Sequence, residues 1–156
     1  MAKEKKPRKI QIVNRRAEHE YYFVKRYDAG VVLHGTEVKS IREGSANLTD
    51  SFCFFKDGEL YVKSMFISEY KDGTYNNHET RRLRKLLLKK SELKVLERKM
   101  SEKGFSIVPI KIFFNDRGLA KVEIAIAQGK KEYDKRNVLK ERDNKRELDN
   151  LKKMKL

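Results

Sequence analysis

A chain of 156 residues has room for one hydrophobic core and is too short for two good ones. Apolar residues make up 38% and charged residues 39%, with a formal net charge of +15, so a modest core carries a strongly positive surface suited to a polyanion. No run approaches the roughly 20 apolar residues of a spanning helix, and the lysine-rich start leads into no apolar stretch of the kind a secretory signal needs.

Residues 1 to 12 form a basic arm in expectation, since Lys3, Lys5, Lys6, Arg8 and Lys9 face the single Glu4 and little there can be buried. Asn14 is a good helix N-cap. Ala17, Tyr21 and Val24 then recur at the spacing of one buried face, which predicts a short helix over 15–26. Its first turn carries Arg15, Arg16 and His19. Cations are unfavourable at a helix start, which points to something negative nearby.

The apolar run Val31, Val32, Leu33 resumes at Val38 and Ile41 around Gly35, the pattern of a long strand bending at a glycine. Glu37, Lys39 and Arg42 on it are either its solvated face or the lining of a binding surface. A turn over 43–50 leads to the apolar run 51–56, where Cys53 within SFCFF reads as a buried small hydrophobe. Asp57-Gly58 joins that run to 59–63 as a hairpin, and Met65 to Ile67 extend the returning strand. Residues 70–80 read as a loop. From Arg81 to Lys99 nine Lys or Arg accompany Leu86 to Leu88, Leu93, Leu96 and Met100, which predicts an amphipathic helix with a basic approach, capped by Ser91 and stopped at Gly104. Residues 106–114 and 120–126 alternate around the turn Asn115 to Gly118, a second hairpin with Lys121 and Glu123 facing out.

After Gly129 the chain holds eleven Lys or Arg against six Asp or Glu and few apolar residues. This tail reads as disordered or marginally helical alone, folding on a polyanion. The whole fits a mainly β or α+β chain of three parts, namely the arm (1–12), a domain over 13–128 and the tail (129–156). For the domain we expect an OB-like antiparallel β-barrel with two to three flanking helices. His19, His34 and His78 are scattered, no zinc spacing surrounds them, and no P-loop, dinucleotide fingerprint or nucleophile elbow is present. The expectation is a cytoplasmic, monomeric binding protein that uses no metal or cofactor and is not an enzyme.

Asn14-Arg15-Arg16-Ala17, AGVVLHGTEVKSIREG at 29–44, ANLTDS at 46–51, RKLLL at 84–88, AQGKKEYDKR at 127–136 and KER at 140–142, in that order, resemble the small protein B (SsrA-binding protein) family of bacteria. The resemblance covers about residues 12–148. It implies an OB-like barrel that binds the tRNA-like domain of transfer-messenger RNA and delivers it to stalled ribosomes in trans-translation. The tail would become helical in the decoding region and the empty mRNA path, and no catalysis is implied. The family's RNA-binding positions fall on Asn14, Asp28, Glu37 and Leu87, with Arg15, Arg16, His19, Lys39, Arg84 and Lys85 in support. Asp28 stands where the family usually has Glu, keeping the charge with one methylene less reach. The alternative for Glu37 is an internal salt bridge with a neighbouring Arg or Lys, and for Leu87 plain core. Tail positions are Lys130, Lys131, Tyr133, Asp134, Lys135, Arg136, Lys140 and Arg142; Tyr133 is either a stacking residue or a solvated one. A general single-strand RNA binder, or a basic protein for DNA or acidic membranes, remains the alternative on residues alone.

Overall fold

The computed structural model of the protein describes residues 10–73 and 75–130. In chain order the elements are β1 (Gln11–Val13), α1 (Arg15–Glu20), β2 (Tyr21–Val31), α2 (Gly35–Arg42), β3 (Ala46–Asn47), β4 (Phe52–Lys56), β5 (Glu59–Lys63), β6 (Phe66–Ile67), β7 (Arg84–Leu87), α3 (Lys90–Ser101), β8 (Phe105–Phe114) and β9 (Ala120–Gly129). Among the described residues the protein is mostly β with three helices, and every strand pairing is antiparallel.

Six strands follow one another in a ring, β8-β4-β5-β7-β2-β9, and β9 pairs back onto β8. β1 pairs with β8 at Lys111 to Phe113, further along the strand than the β4 contact at Ile107, and β3 with β6 forms a separate two-stranded sheet. The core within the ring is aliphatic: Ala29, Leu60, Val62, Leu86, Ile107, Ile112, Val122 and Ile124 are essentially inaccessible, and α3 closes over it with Leu96. Cys53 lies in the same core, where burial pushes its thiol pKa far up and keeps the sulfur neutral. The Asp57-Gly58 turn joins β4 to β5 with both residues at positive φ. The hairpin of β8 and β9 pairs from Phe105 with Gln128 to Phe114 with Ala120.

Several elements differ from the sequence expectations, each for a local reason. Gln11 and Ile12 belong to β1 rather than to an arm, because they pair with Phe113 and Ile112. α1 stops at Glu20, not near residue 26, since the run Tyr21-Tyr22-Phe23-Val24 is aromatic and β-branched and pairs with β9. The supposed bent strand is a strand and then a helix: Val38 and Ile41 stand three apart, a helical spacing that puts Ile41 in the core. Ser64, at φ +64, ends the returning strand, so Phe66 and Ile67 pair with β3 instead of extending β5. Residues 84–87, expected only as a basic approach to the helix, form β7; Leu86 points into the ring and Leu87 out. α3 begins at Lys90 with Lys89 as N-cap, and Glu92 rather than Ser91 closes the first turn by accepting from the Lys89 N–H. Gly104 does adopt φ +91, but two residues beyond the Glu102 cap. Glu123 does face away from the ring core, between the buried Val122 and Ile124, but it is not free: it is covered by Arg26 (3.2 Å) and Lys111 (3.3 Å).

Candidate nucleic-acid interface

The helix α2 is held by charge beneath the surface. Glu37, in its first turn, is fully buried, and its Oε1 accepts from the His34 N–H at 2.9 Å, closing the turn as a capping box. Arg82 Nη2 donates to the same oxygen at 2.6 Å, and Arg84 Nε donates to Oε2. Arg84 is itself fully buried, and its Nη groups reach the carbonyls of Met65 (2.6 Å), Arg82 (3.1 Å) and Thr80 (3.2 Å). One carboxylate thus ties α2 to β7 and to the segment before it.

Burial on its own raises the pKa of the Glu37 carboxyl, but the His34 N–H, Arg82 and Arg84 outweigh it and hold the group below the usual carboxylate range. Burial likewise presses the Arg84 pKa down while Glu37 pushes it back up; a guanidinium bonded to a carboxylate and three carbonyls stays charged. A buried pair of this kind adds little beyond its desolvation cost, but removing one partner is expensive because the other stays buried and unpaired. Glu37 and Arg84 therefore offer no surface to an RNA: of the readings left open for Glu37, the structure shows the internal salt bridge.

The other sequence-predicted residues fall into two groups. α1 and α2 flank opposite ends of β2, separated by roughly 30 Å of strand. At the α1 end, Asn14 is buried and bonded on both sides of its amide. Its Oδ1 caps α1 by accepting from the Ala17 N–H at 3.2 Å, and its Nδ2 donates to the carbonyls of Leu48 (3.2 Å) and Pro109 (3.0 Å). Its own N–H donates to Ile110 O at 2.7 Å, where β8 shifts register beside Pro109, a residue with no N–H to give the ladder. Arg15, Arg16 and His19 are exposed beside it. The negative partner expected near these cations is within the chain: Arg16 pairs with Glu20 at 2.9 Å and Asp50 at 3.2 Å, contacts that raise its pKa.

The second group shares the outer face of β2 and β7. Asp28 is exposed and Leu87 is 51% exposed, so plain core is excluded for Leu87. Gly30 pairs with Leu87 in register, and a side chain at Gly30 would meet Leu87 Cβ at 3.2 Å, so the glycine lets the leucine lie flat on the sheet. Lys85 stands two residues away on the same face, loosely paired with Glu59 at 3.6 Å. Asp28 sits opposite Glu123, a like-charge pairing relieved because Arg26 and Lys111 flank Glu123. Lys39 projects from α2 with its ammonium 5.3 Å from the Tyr70 ring centre. Of the predicted tail residues, Lys130 alone is described: its Nζ reaches the Glu18 carbonyl at 3.3 Å and lies 4.8 Å from the Tyr22 ring centre. Lys131, Tyr133, Asp134, Lys135, Arg136, Lys140 and Arg142 lie outside the described residues.

Sequence reading missed Arg82, whose signal was its spacing from Arg84: in an extended chain, residues two apart face the same way. It also singled out no exposed aromatic residue in SFCFF. Phe52 is 43% exposed, and with Phe54 and Tyr61 it forms an outward aromatic row with ring centres 6.3 Å and 6.1 Å apart. Among the described residues no group of three or more His, Cys, Asp or Glu is placed to hold a metal ion, and no helix is long and apolar enough to cross a membrane.

A ring of antiparallel strands with cationic and partly apolar outer faces defines a small, mostly β binding protein. The chain belongs to the SmpB protein family, whose model matches residues 11–154. It is 55% identical over 146 residues to the SsrA-binding protein of Phocaeicola vulgatus, covering 94% of this chain and 97% of that one. The SsrA-binding protein of Parabacteroides distasonis is 56% identical, covering 94% of this chain and 96% of its own. A chain of a solved tmRNA-SmpB structure, described as a journey to the center of the bacterial ribosome, is 50% identical with a TM-score of 0.68, covering 79% of this chain and 86% of its own.

Proposed function

We propose that this chain is the RNA-binding factor of trans-translation. It grips the tRNA-like domain of transfer-messenger RNA (SsrA) and carries it to stalled ribosomes, while residues 129–156 enter the decoding centre and the empty mRNA channel. The described ring is read as an OB-like barrel over residues 13–128. The observation that carries this reading is the outer face of β2 and β7, where Asp28, Leu87 and Lys85 stand together on a rigid sheet. Leu87 offers an apolar surface to an unstacked base. Lys85 and Lys39 offer charge to phosphate, and Asp28 accepts from a base amino group or a 2′-hydroxyl, since phosphate would repel it. Glu37 and Arg84 serve by holding α2 in place rather than by touching RNA. The names and the solved assembly of the relatives support the same partners, and the reading assigns no chemical step to the chain; peptidyl transfer is the ribosome's.

Loss of affinity with salt is common to every phosphate binder, so the test is selectivity. The protein is expected to bind a folded tRNA-like domain more tightly than unstructured RNA of equal length, and equal affinity for both would sink the reading. Truncation after Gln128 is expected to leave that binding largely intact and to abolish tagging of stalled nascent chains. Charge reversal at Lys135 and Arg136 is expected to do the same, whereas a large loss of RNA affinity would move those residues to the RNA interface.

A further inference from the structure

Between the first turn of α2 and the segment that follows β6 lies an open cleft of about 620 Å³, within the range of about 300–1,000 Å³ typical of ligand sites. Thr36 and Lys39 line it from α2, and Asn76, His78, Glu79 and Arg82 line it from the other side.

Its walls are preformed. His78 is buried and bridges the two sides, with Nδ1 2.8 Å from Thr36 Oγ1 and Nε2 3.0 Å from the Ile67 carbonyl. Asn77 braces the segment from within: its Oδ1 accepts from the Tyr70 and His78 N–H groups, and its Nδ2 donates to the Tyr70 and Gly73 carbonyls. A side chain at Gly73 would come within 2.8 Å of that Nδ2, so the turn needs its glycine. At the base, Glu37 faces two guanidiniums, so one positive charge is left over. Arg82 is 26% exposed although its Nε is buried with no hydrogen-bond partner, and Lys39 adds an exposed cation at the rim. Glu79 is exposed on the same rim.

We infer that this cleft is a nucleotide subsite that takes one phosphodiester of the RNA backbone against Arg82 and Lys39, with the adjoining ribose at Asn76 and Glu79. The inference rests on the RNA-binding reading above and adds a place to it. A guanidinium already oriented by Glu37 and by the Val32 carbonyl (3.1 Å) loses little freedom on meeting a phosphate. Phosphate would be repelled by Glu79, whereas a 2′-hydroxyl has a hydrogen to give it.

Gly35 supplies the test. It lines the cleft, nothing stands within 4 Å of where its Cβ would be, and it opens α2, where an acidic residue suits the helix. Gly35→Asp in the full chain is expected to leave the melting temperature unchanged or higher and to weaken binding of a tRNA-like RNA at least tenfold. Gly35→Asn, similar in size and uncharged, is expected to weaken it less than threefold. Lys39→Ala is expected to lower the slope of log affinity against log salt by about one. Binding of Gly35→Asp at wild-type affinity would overturn the inference. The wild-type preference for folded over unstructured RNA is measured in the same series and judges the functional reading separately. The Gly35→Asp comparison is made on both RNAs, so the subsite is tested on whichever one binds.

Discussion

The two helices flanking opposite ends of β2 are secured by contrasting means. α1 is held by a neutral side chain: Asn14 caps it and donates to the carbonyls of Leu48 and Pro109, while the ions nearby, Arg16 with Glu20 and Asp50, stay in solvent. α2 is held by ions taken out of solvent, Glu37 with Arg82 and Arg84. The difference teaches that, in a chain so rich in charge, an ionic residue's place in the structure says more than its type. Exposed pairs are screened and nearly neutral in energy, whereas buried ones decide whether an element stays in place.

The contrast is broken most severely at Glu37. Glu37→Ala leaves Arg84 buried without its carboxylate and is expected to cost about 3–5 kcal/mol of unfolding free energy, measured by urea titration; a cost below about 1 kcal/mol would show that the pair is dispensable. Acid sharpens the same point. The Glu37 carboxyl is held below its ordinary value of about 4.3, so its stabilisation is fully present above that pH and is lost as the pH falls through the lowered folded value. Glu37→Gln is expected to be less stable at pH 7 and to lack that component of acid sensitivity.

Asn14 comes next. Asn14→Ala is expected to cost about 1–3 kcal/mol, because a helix cap is lost and two buried carbonyls lose their donor. Asn14→Asp is expected to be no better, since a carboxylate caps the helix but cannot donate to Leu48 O or Pro109 O; wild-type stability there would contradict the two-sided role. Leu87→Ala should change stability little, as its side chain is half in solvent, yet weaken binding of the tRNA-like RNA about tenfold, a size ordinary for loss of contact with one base. The smallest effect is expected at Glu20→Gln, whose loss from the exposed Arg16 pair should leave the unfolding midpoint unchanged.

How much of this was legible in the sequence depended on whether local pattern and long-range pairing agreed. The hairpins joining β4 to β5 and β8 to β9 were legible because Asp57-Gly58 and Asn115 to Gly118 mark turns between runs fit for strands. α3 was legible, but β7 before it was missed because Leu86 to Leu88 fit a helix as well as a strand, and only pairing with β2 and β5 settles it. At 31–42 a glycine looked like a strand bend when it was the opening of a helix. Within the candidate interface, Asp28, Lys85 and Leu87 were named and do share one face. Glu37 and Arg84 were named as well, but their burial depends on a contact across 47 residues, which no local spacing reveals. The cleft beside α2 was illegible for the same reason, whereas Arg82 carried a local signal in its spacing of two from Arg84.

Hydroxyl-radical footprinting of the full chain with and without the tRNA-like RNA tests the central division most directly. Leu87, half exposed, and Leu86, wholly buried next to it, are read in the same experiment. Oxidation of Leu87 is expected to fall several-fold when RNA is bound, while Leu86 stays unreactive throughout. Unchanged oxidation of Leu87 at saturating RNA would contradict the account, since the RNA would then lie elsewhere than on the outer face of β2 and β7.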